Sequence, residues 1–277
     1  MNMIIQIRKT LTFTLLLSAI MFGGCKKNSY NVVPALTKEW NIPVTTENAN
    51  YSTGTIVGKG TLSMKLYSDY TMDFDIKFDQ LGESVIGASI NMGDPVSEGS
   101  VILNLAPRIA GTYVSGRVNV NQATVDILLN KNIDKYFCVF TNSYPQGIAR
   151  AQLNTEFVFS KRIGLSGSNV VPIPVSTSTT GIALLRITSD NRLFSKVVLY
   201  NNSSADPATT ATIHQGGVGT NGASIYTLVN SPAEFGTSKV VAGNTSLISA
   251  VINNSGYVNV SSVTYPLPGG KLRGQIR

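Results

Sequence analysis

The chemistry open to this chain is bounded by how few reactive side chains it carries. Its 277 residues include one histidine, His214, and two cysteines, Cys25 and Cys138. A serine–histidine–carboxylate triad needs an imidazole beside a nucleophile elbow, and Thr212-Ile213-His214-Gln215-Gly216 is not one. Copper or zinc held by imidazole needs several such ligands, and one histidine cannot supply them. Glycoside hydrolysis needs two carboxylates roughly 5–10 Å apart. The C-terminal half offers only Asp190, Asp206 and Glu234, while Asp73, Asp75 and Asp79 share one alternating face of a strand-like run. The expectation is a protein with no catalytic residues, no metal and no cofactor. The competing reading is an extracytoplasmic hydrolase or metal-dependent enzyme that uses surface carboxylates and His214.

The two cysteines read differently. Cys138 lies in Tyr136-Phe137-Cys138-Val139-Phe140, an apolar strand-like run with no basic neighbour to make a thiolate. It is expected to pack as a small buried hydrophobe. Cys25 follows Arg8-Lys9, an uncharged apolar run over 10–22, and Gly23-Gly24. Such a run falls short of the roughly 20 residues that span a bilayer. The order of basic start, apolar run, small pair and cysteine resembles a bacterial lipobox, which implies lipidation of Cys25. Residues 1–24 are then a signal peptide and 25–35 a lipidated tether. The lipid would hold the protein on a membrane of the cell envelope, the outer membrane by expectation, facing the periplasm or the surface. With Cys25 lipidated, Cys138 has no partner and no disulfide framework forms.

The rest of the chain nearly repeats itself. Ala88, Ile90, Gly93, Gly99, Ile102 and Leu105 match Ala211, Ile213, Gly216, Gly222, Ile225 and Leu228 at one offset (211 − 88 = 123). Tyr136 and Tyr144-Pro145 match Tyr257 and Tyr265-Pro266 at 121, and Gly147, Arg150 and Gln152 match Gly270, Arg273 and Gln275 at 123. A repeat this long implies two duplicated domains, placed here at 36–159 and 163–277 with a linker over 159–164. Arg150 and Arg273 recur in the last strand-like segment of each copy. They are expected either to pair with a carboxylate on a neighbouring strand or to form a surface contact.

The elements that position these residues read as strands. Leu62, Met64 and Leu66, then Tyr70, Met72, Phe74, Ile76 and Phe78, alternate with polar residues. Strict period two marks half-buried strands. Ser68-Asp69 forms the expected hairpin turn, matched by Ser189-Asp190, and Leu193, Ser195, Val197 and Leu199 keep the same parity. Further strands are expected at 88–91, 101–105, 114–120, 125–129, 136–141 and 148–159. In the second copy they fall at 182–188, 193–200, 211–214, 224–228, 247–253, 257–261 and 271–276. No amphipathic helix is expected after the leader. Short strands divided by Gly, Asn, Pro and Ser clusters predict an all-β protein of two antiparallel sandwiches or barrels.

Net charge divides unevenly. Residues 28–160 hold nine Lys/Arg and twelve Asp/Glu (−3), and residues 161–277 hold nine and three (+6). The second copy leans toward anionic surfaces, but its basic residues are scattered and not interleaved with aromatics. Nucleic-acid binding is therefore not expected.

Three blocks of the second copy carry a family resemblance: Leu165-Ser166-Gly167-Ser168-Asn169-Val170-Val171-Pro172, then Thr212-Ile213-His214-Gln215-Gly216-Gly217-Val218-Gly219-Thr220-Asn221-Gly222, then Pro268-Gly269-Gly270-Lys271-Leu272-Arg273-Gly274-Gln275-Ile276. In this order they resemble the CHRD domain, known from chordin and from bacterial secreted proteins. The resemblance implies an immunoglobulin-like Greek-key sandwich or barrel in each copy, and a binding role without a general activity. The family's central block often reads His-Ile-His, similar to the metal-binding strand of copper/zinc superoxide dismutases. Here the positions are Thr212, Ile213 and His214, and Ser89, Ile90 and Asn91 in the first copy, so no such metal site is expected. The candidate binding loop is His214, Gly216, Gly217, Gly219, Asn221 and Gly222, with His214 hydrogen-bonded beside the turn. Taken together, these readings predict a lipid-anchored, non-catalytic binding or scaffold module for an extracytoplasmic protein or glycan.

Overall fold

Alternation of apolar and polar residues builds the first strands of the computed structural model, which describes residues 33–51, 56–105, 108–253 and 255–277. Residues 35–277 form one compact unit, whose regular secondary structure is nearly all strand. In its N-terminal half run β1 (Leu36–Thr45), β2 (Lys59–Tyr67), β3 (Thr71–Asp79), β4 (Gly87–Met92), β5 (Val101–Leu105), β6 (Arg108–Ala110), β7 (Tyr113–Asn119), helix α1 (Gln122–Leu129), β8 (Lys135–Phe140) and β9 (Ala149–Gln152). In its C-terminal half run β10 (Phe157–Ser166), β11 (Thr180–Thr188), β12 (Arg192–Tyr200), β13 (Ala208–Gln215), β14 (Ser224–Val229), β15 (Lys239–Ala242), helix α2 (Thr245–Ile252), β16 (Gly256–Ser262) and β17 (Leu272–Gln275).

The strands form two sheets of matching order: β5-β4-β8-β9-β1-β2-β3-β7-β6 and β14-β13-β16-β17-β10-β11-β12-β15. Register matches too. Asn41 pairs with Ser63 and Ser63 with Asp75; Arg162 pairs with Leu184 and Leu184 with Lys196, each 121 residues further on. Because side chains alternate with period two, equal register puts equal positions on equal faces. Each sheet encloses its own core. Trp40, Met64, Phe74, Ile90 and Phe137 lie in one; Leu165, Leu185, Val197, Ile213 and Val258 lie in the other. Each sheet is also pinched at one place, where Thr45 alone bridges to Arg150 and Ser166 alone to Arg273.

Four expectations are corrected. Residues 125–129 and 247–253, expected as strands, belong to helices α1 and α2, so the expectation of no helix beyond the leader fails as well. Asn121 and Asn244 cap them, accepting from the amides of Thr124 and Leu247. Val125 and Leu128 in one, and Leu247, Ala250 and Val251 in the other, are buried at helical spacing. The linker expected over 159–164 lies inside β10, and the strand expected over 148–159 is interrupted between β9 and β10. Strand β1 was not anticipated, although Trp40, Ile42 and Val44 alternate within it.

The halves meet where the first half's loops reach the outward face of β11 and β12. Val96 packs among Ile182, Leu184 and Phe194. Fully buried Arg186 donates to the carbonyls of Glu47 at 2.9 Å and Lys161 at 2.5 Å. Glu98 pairs with Lys196 at 2.9 Å, and Ser238 donates to Asp94 at 2.7 Å. Strand β11 is therefore buried on both faces from Gly181 to Thr188.

Candidate functional site

His214 sits on β13 in line with Thr212, two residues away and on the same face. Its Nδ1 lies 3.0 Å from the carbonyl of Gly222 and its Nε2 2.6 Å from Oγ1 of Thr212. A carbonyl only accepts, so Nδ1 carries the proton and Nε2 accepts from the hydroxyl. The ring stacks on Tyr257 at 5.1 Å and is buried. Both nitrogens are thus engaged in holding the turn. In the first half Ser89 and Asn91 replace this pair, and Asn91 Nδ2 donates to Ser89 Oγ at 2.8 Å.

The recurring arginines do the same kind of work. Arg273 Nη2 donates to the carbonyls of Gly217 at 3.0 Å and Thr220 at 2.8 Å, and Nη1 donates to Asn221 Oδ1 at 2.9 Å. Two residues on, Gln275 Nε2 donates to the carbonyls of Gly216 at 2.9 Å and Gly256 at 2.8 Å. The guanidinium lies 3.5 Å over the Tyr257 ring. In the first half Arg150 donates to the carbonyls of Ser97 at 2.8 Å and Asp94 at 2.5 Å. Gln152 there donates to Gly93 at 2.7 Å, and Arg150 lies 3.4 Å over Tyr136. Neither arginine pairs with the neighbouring-strand carboxylate considered from sequence; backbone carbonyls and an aromatic face satisfy both. Burial lowers both guanidinium pKa values from the usual range.

The glycine loop therefore turns carbonyls inward. An anion cradle needs converging amides, and here the amides of Gly217, Val218 and Gly219 have no partner among the described residues. Gly222 is required by close approach: a Cβ there would lie 1.7 Å from the Gln215 carbonyl oxygen. Beside the pinched edges lie two open clefts, one of about 750 Å³ between β1 and the start of β10 and one of about 450 Å³ in the second half. Pro43, Glu47, Asn48, Gln152 and Asn154 line the first, and their counterparts Gly164, Ser168, Asn169, Gln275 and Arg277 line the second.

The basic residues of the second half are mostly buried or engaged by partners. Arg186, Lys271 and Arg273 are buried, and Arg162 donates to Thr46 and Ala49 carbonyls. Arg192, Lys196 and Lys239 pair with Asp190, Glu98 and Glu234. Among the described residues no three His, Cys, Asp or Glu side chains gather as metal ligands, and no helix is long and apolar enough to cross a membrane. Cys138 is buried, and burial pushes its thiol up to about 12. Cys25 lies outside the described residues. Sequence reasoning missed Arg186 and Glu47, whose only signal was a charge (Arg186) within an otherwise apolar strand.

No curated protein and no solved structure matches the chain. Residues 162–276, the stretch from within β10 through β17 that carries the arginine-pinned loop and the smaller cleft, match the family model of the CHRD domain.

Proposed function

We propose that this protein is a lipid-anchored envelope module in which two CHRD-like β-sandwich domains, the first divergent, bind an extracytoplasmic protein or glycan without catalysis. The observation that carries this reading is the recurrence of a cleft beside the pinched edge of each sheet, lined from corresponding positions. The groups that recur and could have been reactive, Arg150 and Arg273, are consumed by backbone carbonyls. What repeats is thus a rigid frame around a concavity in which amide side chains (Asn48 and Gln152, Asn169 and Gln275) recur, able to hydrogen-bond a polar ligand.

Two measurements test the reading. Labelled palmitate should enter the full chain in bacteria and be absent from Cys25→Ala, which should also leave the membrane fraction; equal labelling would remove the anchor. For binding, Gly164→Trp fills the smaller cleft, where an added Cβ meets no atom within 4 Å. An envelope component retained by the chain should be lost at least tenfold by this variant, and unchanged retention would exclude the cleft.

A further inference from the structure

Strand β1 leaves one edge open where it meets the larger cleft. Thr46, just past its end, donates its amide to the Gly58 carbonyl on the β2 side. Backbone groups alternate in direction along an antiparallel pair, so those of Thr45, Pro43 and Asn41 face away from β2. Thr45 bridges there to Arg150 of β9, and no other residue of β1 pairs with a strand on that side. Pro43, which has no N–H to give, suits such an outward position. Asn41 and Pro43 are exposed and line the cleft, whose far wall is the segment 152–160.

The matched position in the second half shows what such an amide takes. Arg162 stands 121 residues after Asn41 in the same register, and its amide donates to the Glu47 carboxylate at 2.9 Å. The chain supplies that acceptor itself, whereas no loop carbonyl takes the Asn41 amide among the described residues. Asn41 thus offers a donor and an acceptor, and Pro43 a second acceptor roughly 6–7 Å along the strand. That is the pattern another extended backbone pairs with. The charge of the cleft is one-sided. Glu47 and Glu156 line it and no lysine or arginine does. Glu156 is exposed and has no ion-pair partner among the described residues. Phe157 and Val158 add an apolar wall, with Val158 54% exposed.

We infer that the larger cleft takes an extended peptide segment of another protein, rich in basic and apolar side chains, added antiparallel to the open edge of β1. This rests on the reading of that cleft as a binding site and names a polypeptide strand as its occupant. An added strand faces β1 through alternate backbone nitrogens only, a signature that a glycan or a side-chain contact does not share.

Selection of random linear octapeptides displayed on phage against the full chain tests it, the selected sequences then being made as free peptides. They should combine Lys or Arg with β-branched or aromatic residues, and binding should slow amide exchange at Asn41 at least tenfold. N-methylation of alternate peptide nitrogens should abolish binding in one phase and spare it in the other. Asn41→Pro removes the donor without touching the ladder to β2, and it should weaken binding at least tenfold, as should Glu156→Lys. Should Asn41→Pro not fold, Glu156→Lys and the methylation phase still decide. Peptides that leave Asn41 exchange unchanged, or that tolerate methylation in both phases, would overturn strand addition while leaving the cleft a binding site. Recovery of no peptide would overturn it as well; N-acetylglucosamine oligosaccharides that shifted the amide resonances of Asn154 and Phe157 would then keep the cleft as a glycan site, and no shift would remove both readings.

Discussion

At the scale of single residues, the molecule spends its recurring polar groups on its own backbone. Arg273 serves two carbonyls and an amide oxygen and covers a ring at once. A lysine keeps the charge but not the planar fork. Arg273→Lys is therefore expected to cost roughly 2–4 kcal/mol, read as a lower midpoint in urea unfolding, because buried carbonyls lose their donors. Cys138 gives a pH signature. Its thiol pKa rises from 9.0 to about 12 on folding, so folded and unfolded chains bind it equally below pH 9. Above that, the unfolded chain releases the proton first, and stability falls as pH rises through the folded value, by about 1.4 kcal/mol per pH unit. Residues 35–277 should show this loss and Cys138→Ala should lack it; parallel curves would refute the assignment.

At the scale of elements, the loops owe their shape to close backbone approach. Gly222→Ala drives a Cβ into the Gln215 carbonyl, whereas at Gly219 an added Cβ meets nothing within 4 Å and only φ +80 opposes it. Thermal unfolding should rank the first well above the second, roughly 3 kcal/mol or more against about 1. An equal effect would mean that conformation and not contact fixes the loop. The same elements show what was legible beforehand. The hairpin β2–β3 announced itself because nine residues of β3 alternate strictly and one face meets water. The repeat exposed Gly93, Gly99, Gly216, Gly222, Tyr136, Tyr257 and both arginines, and the structure gathers them around the two loops. Helices α1 and α2 were hidden because each is only two turns long, with branched apolar residues that fit either period. Their caps, Asn121 and Asn244, sit 123 apart and were the available signal. Strand β10 was masked by Lys161-Arg162, which read as a linker, although Arg162 reaches into the joint.

At the scale of the whole molecule, the joint is where sequence said least, because partners there are more than 80 residues apart. Val96→Asp would put a carboxylate among Ile182, Leu184 and Phe194. It should cost roughly 3 kcal/mol. Calorimetry should then resolve two unfolding steps where the unmodified chain shows one; a single step at the original temperature would mean that the joint does not couple the halves.

Arg186 carries one more implication. Two of its acceptors belong to Glu47 and Ala49, so a fragment cut at the edge of the recognised domain would bare a greasy strip with an unsated cation at its centre. Such a piece would stick to its neighbours in a test tube, and its misbehaviour would be mistaken for a property of the intact protein.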